Sequence, residues 1–168
     1  SQGSTSFVGC VEDINCNLSV YPVCEGLAKV YELSLSNIGG KNKVAEIVLD
    51  CDAALGRWSD GAYTLSEVIS PQVLRVKSGK TKKELYIKSL GVGRAVTDAA
   101  VLGDRLSACD HIYRQATSYF NNPAAAMTQE IYLGADESKT VYFILTADQR
   151  VCYELKEEDM PRLKGLSK

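Results

Sequence analysis

The chain is 168 residues long, which suits one substantial hydrophobic core and predicts one domain with at most an appendage. Its 45% apolar and 24% charged content excludes wholesale disorder, and no apolar run approaches the roughly 20 residues of a membrane-crossing helix. The net charge of −2 gives no general attraction to nucleic acid, but the charge is unevenly placed. Residues 39–94 carry ten bases and six acids, whereas residues 1–38 carry one base and four acids and residues 95–168 carry eight bases and eleven acids. The start, Ser1-Gln2-Gly3-Ser4, does not read as a signal peptide, so a soluble protein without membrane insertion is expected.

Strand signals come first along the chain. Residues 29–36 alternate, with Tyr31, Leu33 and Leu35 on one face, and stop at Asn37-Ile38-Gly39-Gly40. Residues 44–51 set Ala45, Ile47, Leu49 and Cys51 against Val44, Glu46 and Val48. A strand over 62–69 follows the turn Ser59-Asp60-Gly61 and is closed by Pro71, and residues 73–77 and 84–90 flank Ser78-Gly79-Lys80-Thr81 as a hairpin. After Gly91-Val92-Gly93, read as a strand-to-helix corner, Val96, Ala99, Ala100, Gly103, Leu106, Asp110, Tyr113, Thr117 and Phe120 recur at helical spacing. That pattern predicts a long helix ending near Asn121-Asn122-Pro123. Strands over 129–133, 140–146 and 150–155 then make a meander, and the acidic end from Glu154 reads as a short helix or loose terminus.

The basic charge concentrates in residues 72–94, where Arg75, Lys77, Lys80, Lys82, Lys83, Lys88 and Arg94 face the single acid Glu84. Two readings compete: lysines that protect a solvated edge hairpin, or a track for phosphates. Aromatic side chains for base stacking lie close by in sequence, at Trp58 beside Arg57, Tyr63 and Tyr86. Trp58 has core packing as its ordinary alternative. If Leu85 and Ile87 face the core, then Tyr86, Lys88 and Glu84 share the opposite face.

Catalytic constellations are weak. The single histidine, His111, follows Cys109 by two positions, a spacing that points two helical side chains in different directions. Ser78-Gly79-Lys80-Thr81 has the end of a phosphate-binding loop without its upstream glycine or following helix, and Gly91-Val92-Gly93 lacks a third glycine. Cys10, Cys16, Cys24, Cys51, Cys109 and Cys152 include no Cys-x-x-Cys pair, so reduced, mostly buried thiols are expected and neither a metal site nor a cofactor is implied.

The order of motifs resembles a known family, the coronavirus replicase non-structural protein nine, a small single-stranded-RNA-binding barrel with a C-terminal helix. The matching stretches are Gly39-Gly40 with the strand over 44–50, residues 55–58, Ser59-Asp60-Gly61 with Tyr63-Thr64, Pro71 with Arg75, Lys83-Glu84-Leu85-Tyr86-Ile87-Lys88, and the helix containing Val101-Leu102-Gly103. Cys10, Cys16 and Gly26-Leu27-Ala28 extend the match toward the start, so it covers about residues 7–108.

The resemblance implies a β-rich α+β fold, an antiparallel six- to seven-stranded OB-like barrel followed by a long helix and a C-terminal β-meander. The division expected is an RNA-binding barrel with the start of the helix over 1–108 and an extension over 109–168. Function would be that of a non-catalytic RNA-binding subunit, processed from a polyprotein and working with polymerase and nucleotidyltransferase subunits at replication complexes in the host-cell cytoplasm. Candidate RNA contacts are Lys41, Lys43, Arg57, Trp58, Arg75, Lys77, Lys80, Lys82, Lys83, Tyr86, Lys88 and Arg94. In the family a glycine-x-x-x-glycine helix segment forms a homodimer, which makes Ala99, Ala100, Leu102, Gly103 and Leu106 a candidate dimer face here, with alanine replacing the first glycine. The family's free N-terminal residue accepts a nucleotide, a role that would fall to Ser1. The rival reading is a protein-interaction module whose lysines only keep an edge soluble.

Overall fold

The computed structural model describes residues 4–51, 64–79, 81–98 and 123–166. A hairpin opens the chain: β1 (Thr5–Val11) and β2 (Ile14–Val23) are joined by Glu12 and Asp13, whose φ values of 47° and 63° give the left-handed pair that matches strand twist in a two-residue turn. A short 3-10 turn (Cys24–Gly26) leads into β3 (Ala28–Asn37), followed by β4 (Lys43–Asp50), β5 (Thr64–Ser70), β6 (Val73–Ser78), β7 (Glu84–Ser89) and β8 (Gly93–Asp98). β9 (Pro123–Leu133) and β10 (Ser138–Thr146) are the last strands, and helices α1 (Gln149–Glu154) and α2 (Met160–Leu166) end the described chain.

All strand pairs among the described residues are antiparallel. They form a seven-stranded sheet in the order β1-β2-β3-β10-β7-β6-β5 and a three-stranded sheet in the order β4-β9-β8. The smaller sheet lies on one face of the larger, and between them sits the main core: Ile14 and Leu35 from β2 and β3, Leu74, Val76 and Ile87 from β6 and β7, Met127, Ile131 and Leu133 from β9, and Val141 and Phe143 from β10. The alternation read in residues 44–51 is realised, with Ala45, Ile47, Leu49 and Cys51 turned to this core and Val44, Glu46 and Val48 turned out.

The opposite face of the large sheet is buried too. Tyr21, Val23, Ala28, Val30 and Ile144 pack against Leu155, just past α1, and Met160, the first residue of α2. Each fully buried Leu, Ile or Val contributes about 1.5–3 kcal/mol of transfer free energy, so both faces must stay covered. β3 and β10 therefore carry apolar side chains on both sides.

The fold is mainly β, as expected, but several finer expectations need correction. The strands make open sheets rather than a closed barrel: β1 and β5 are separate edges that do not pair. Gly93, expected at a strand-to-helix corner, and Val96, expected as the first apolar position of a long helix, lie instead in β8, where Ala95 and the β-branched Val96 sit opposite Met127 and Ala126 of β9 and a Cβ on Gly93 would lie 2.4 Å from that of Ser89. Helical spacing from Ala99 onward falls outside the described residues. The strand expected over 150–155 is α1 instead, started by Asp148, whose side chain accepts from the Arg150 and Val151 backbone N–H groups at 2.8 and 3.2 Å. β10 inserts between β3 and β7 and β9 between β4 and β8, and residue 108 itself lies outside the described residues. The short helix expected in the acidic end is present as α2.

One buried side chain joins two loops, β3–β4 and β9–β10, at one end of the sandwich. Asn37 Nδ2 donates to the carbonyl oxygens of Lys41 and Gly134, both at 2.8 Å, and its Oδ1 accepts from the Gly39 N–H at 3.0 Å. Asn37→Ala should lower stability by about 2 kcal/mol in urea unfolding at unchanged m-value, because it strands partly buried backbone groups. A midpoint equal to the wild type would contradict that role.

Candidate nucleic-acid interface

The hairpin of β6 and β7 places its charged residues by strand parity. Leu74, Val76, Leu85 and Ile87 point to the core, so Arg75, Lys77, Glu84, Tyr86 and Lys88 point to the helix side of the sheet. The expected grouping of Tyr86, Lys88 and Glu84 on one face is correct. What that face does differs from the expectation.

Arg75 faces Tyr86 on one neighbouring strand and Glu67 on the other. Its Nη2 donates to Glu67 Oε2, its Nη1 lies 3.6 Å from Glu84 Oε1, and Lys77 Nζ lies 3.5 Å from the same Glu67 oxygen. Two cations thus meet two carboxylates. The Arg75 hydrogen bond holds the Glu67 carboxyl below its ordinary value, and Glu67 raises Arg75 in turn. Tyr86 is 1% exposed and donates to Glu84 Oε2 at 2.6 Å; burial, then this bond, pushes its hydroxyl pKa up. A side chain so covered offers no face to a base, so Tyr86 is corrected from stacking platform to core residue.

Lys88 has a different occupation. Its Nζ donates to the carbonyl oxygens of Cys152 at 2.9 Å and Leu155 at 2.8 Å, at the C-terminal end of α1. Burial lowers its pKa, and the helix-end carbonyls compensate the ammonium. Lys88 fastens α1 to the sheet and is not presented to phosphates. The sequence carried a signal for this: Asp148 two residues before Arg150, with Arg150 and Glu154 four apart, marks a capped helix ready to cover the strand.

The other candidates are scattered. Lys43 donates to the Glu12 carbonyl oxygen and to Asp13 Oδ2 at 3.1 Å, tying β4 to the β1–β2 turn. Lys41 is exposed near the Asn37 end of β3, whereas the β6–β7 loop lies beyond the Thr146 end of β10; the nine residues of β10 separate these ends by about 27 Å. Arg94 lies on β8 of the small sheet, opposite Thr128. Arg57, Trp58, Lys80, the helix face of Ala99, Ala100, Leu102, Gly103 and Leu106, and Ser1 all fall outside the described residues.

Lys82 and Lys83 remain at the tip of the hairpin. Both are exposed, and neither makes an ion pair among the described residues. The loop is pinned beneath them, since the Ser78 N–H donates to the Lys83 carbonyl at 2.9 Å and the Thr81 N–H donates to Ser78 Oγ at 3.1 Å. A fixed loop base with two outward ammonium groups suits contact with an anionic backbone.

One further group, around Glu32, has no counterpart among the candidates read from sequence. Glu32, buried on β3, accepts from Tyr21 Oη at 3.0 Å and from Lys164 Nζ of α2. A glutamate within the alternating strand over 29–36 was the available sign of a buried partner. Of the five described cysteines, Cys152 is buried, Cys10 exposed and Cys16, Cys24 and Cys51 intermediate, so among these the expectation of buried thiols holds in full for Cys152; Cys109 lies outside the described residues.

The chain matches no protein-family model and no curated protein. A solved structure described as a putative kojibiose phosphorylase from human microbiome aligns with 98% of this chain at 14% identity and TM-score 0.45. This chain spans 20% of that protein's length, and at such a score nothing about this chain follows from the likeness. No helix among the described residues is long and apolar enough to cross a membrane.

The Glu67 cluster gives a pH test. Because its folded pKa lies below the ordinary 4.5, Glu67 adds stability above that value and loses it as the pH falls through the depressed folded value. Glu67→Gln should cost about 0.5–1 kcal/mol at neutral pH and flatten the acid limb of a stability–pH curve. An acid limb identical to that of the wild type would remove Glu67 from the account.

Proposed function

We propose that this chain is a non-catalytic single-stranded-RNA-binding subunit of a viral replication complex of the nidovirus kind, processed from a replicase polyprotein and acting in the host-cell cytoplasm. The observation that carries the reading is the exposed pair Lys82 and Lys83 on the pinned β6–β7 loop. Lys83 begins the stretch Lys83-Glu84-Leu85-Tyr86-Ile87-Lys88 that gives the sequence resemblance much of its weight. The RNA site is then narrower than the basic segment. Lys80, Lys82 and Lys83 meet phosphates, with Arg57 and Trp58 as the remaining candidates for a second contact and a stacking platform. Such a site gives weak, salt-dependent, sequence-tolerant binding. An OB-like arrangement, a helix continuing from Ala99, dimer formation through Gly103 and nucleotide transfer to Ser1 belong to the same proposal.

A second reading has its own observation. Since Arg75, Lys77 and Lys88 are engaged within the fold, much of the basic segment serves stability, as it would in a protein-interaction module of the replicase.

Fluorescence anisotropy with a labelled single-stranded RNA separates the two. Replacing Lys80, Lys82 and Lys83 with alanine should weaken binding and reduce the slope of log affinity against log salt by about 0.7 per lost phosphate contact. Lys77→Ala should leave both nearly unchanged. Affinity and slope preserved in the triple variant would favour the interaction module.

A further inference from the structure

Among the described residues, the four edge strands of the two sheets are not alike. β5 carries Glu67 and a register shift between Val68 and Ser70, β8 carries Arg94 and a shift between Val96 and Asp98, and β4 carries Lys43, Glu46 and Asp50. Charges and bulges are the usual protection of a sheet edge. β1, Thr-Ser-Phe-Val-Gly-Cys-Val, has neither: it is uncharged, its register with β2 is unbroken, and all seven residues are exposed. Phe7 is 59%, Val8 82% and Val11 65% accessible.

We propose that the free edge of β1 pairs antiparallel with β1 of a second copy of this chain, joining two seven-stranded sheets into one across a two-fold axis at Val8. The hairpin fixes which backbone groups are available. Val11 and Ile14 close its two-residue turn and exchange both hydrogen bonds, so residues 5, 7, 9 and 11 turn their N–H and C=O groups to β2. Ser6, Val8 and Cys10 therefore present theirs outward. With the axis at Val8, Ser6 faces Cys10 of the second copy, Val8 faces its own equivalent, and every outward group within these positions finds a partner.

Side chains favour the same register. Phe7 comes opposite Gly9 of the second copy in a non-hydrogen-bonded pair, the closer of the two kinds. A Cβ built on Gly9 meets nothing within 4 Å, which leaves room for the ring to lie over the glycine. Thr5 comes opposite Val11, a β-branched pair. Charge selects the direction: antiparallel pairing keeps the two Glu12-Asp13 turns at opposite ends, whereas parallel pairing would bring four carboxylates together. These are the reasons for a second copy rather than an unrelated peptide. A seven-residue edge buries less than a standard interface, so the dimer is micromolar rather than nanomolar.

Sedimentation velocity over the micromolar to submillimolar range tests this, with Val8→Pro and Val8→Lys as variants. Proline removes an N–H that faces outward and is not used by β2, and lysine leaves the backbone intact while placing two charges on the axis. The wild type should dimerise with rising concentration. Both variants should stay monomeric with unchanged circular dichroism, and if Val8→Pro loses its fold, Val8→Lys decides. Gly103→Glu should leave this dimer intact, separating it from the candidate helix interface. In a Cys10→Ser background, Val8→Cys should give a disulfide-linked dimer when oxidised with copper–phenanthroline. A wild type that is monomeric throughout, or a dimer that survives Val8→Lys, overturns the proposal.

Discussion

The pairing of β10 with β3 on one side and β7 on the other is the constraint from which the rest follows. Nine residues of β10 meet β3 and four meet β7, so the N-terminal hairpin and the β5–β6–β7 meander become one sheet only through a strand near the C-terminus. A sheet assembled this way has two faces to cover. The small sheet covers one, and the two C-terminal helices cover part of the other.

Covering the second face decides what its polar residues do. A cation beneath a helix must find acceptors or lose its charge, and Lys88 finds the carbonyl groups at the end of α1. Glu32 is met by Tyr21 and Lys164, so α2 is held to β3 by the same kind of bond. Farther toward the β5 edge, Arg75 and Lys77 are answered by Glu67 and Glu84. Clustered basic charge in sequence is thus divided in space between side chains that hold the sheet to its cover and a loop that projects beyond it.

Some of this was legible beforehand. The alternation of residues 44–51 and the hairpin around Ser78-Gly79 follow from local pattern and turn chemistry, and both are present. β9 was recognised only from Gln129, because Ala124, Ala125 and Ala126 favour helix locally; as a central strand their segment is chosen by its neighbours, and small side chains fit where Ala125 and Ala126 are fully covered. The segment beginning at Arg150 alternates well enough to read as a strand, yet Asp148 is a helix N-cap and was available as evidence. In the basic segment the missing information is long-range. Parity correctly put Lys88 and Tyr86 on the face away from the core, but nothing local says that a helix some 60 residues later covers that face.

The same long-range closure explains why β1 stands apart. Among the described residues, every other strand of the large sheet gains a neighbour on both sides or carries charge at its free edge, while β1 pairs with β2 alone and places no side chain in the buried clusters. Stability should therefore be graded across the sheet, highest at β10 and lowest at β1. Native-state amide hydrogen exchange measures this directly. Amides of Val141, Phe143, Ile144 and Leu145 should exchange only through global unfolding, as slowly as those of β3 and β7. Exchange of these four through a cheaper local opening, with β3 and β7 still protected, would contradict the account by showing that β10 is an attachment to the sheet rather than the strand that unites it.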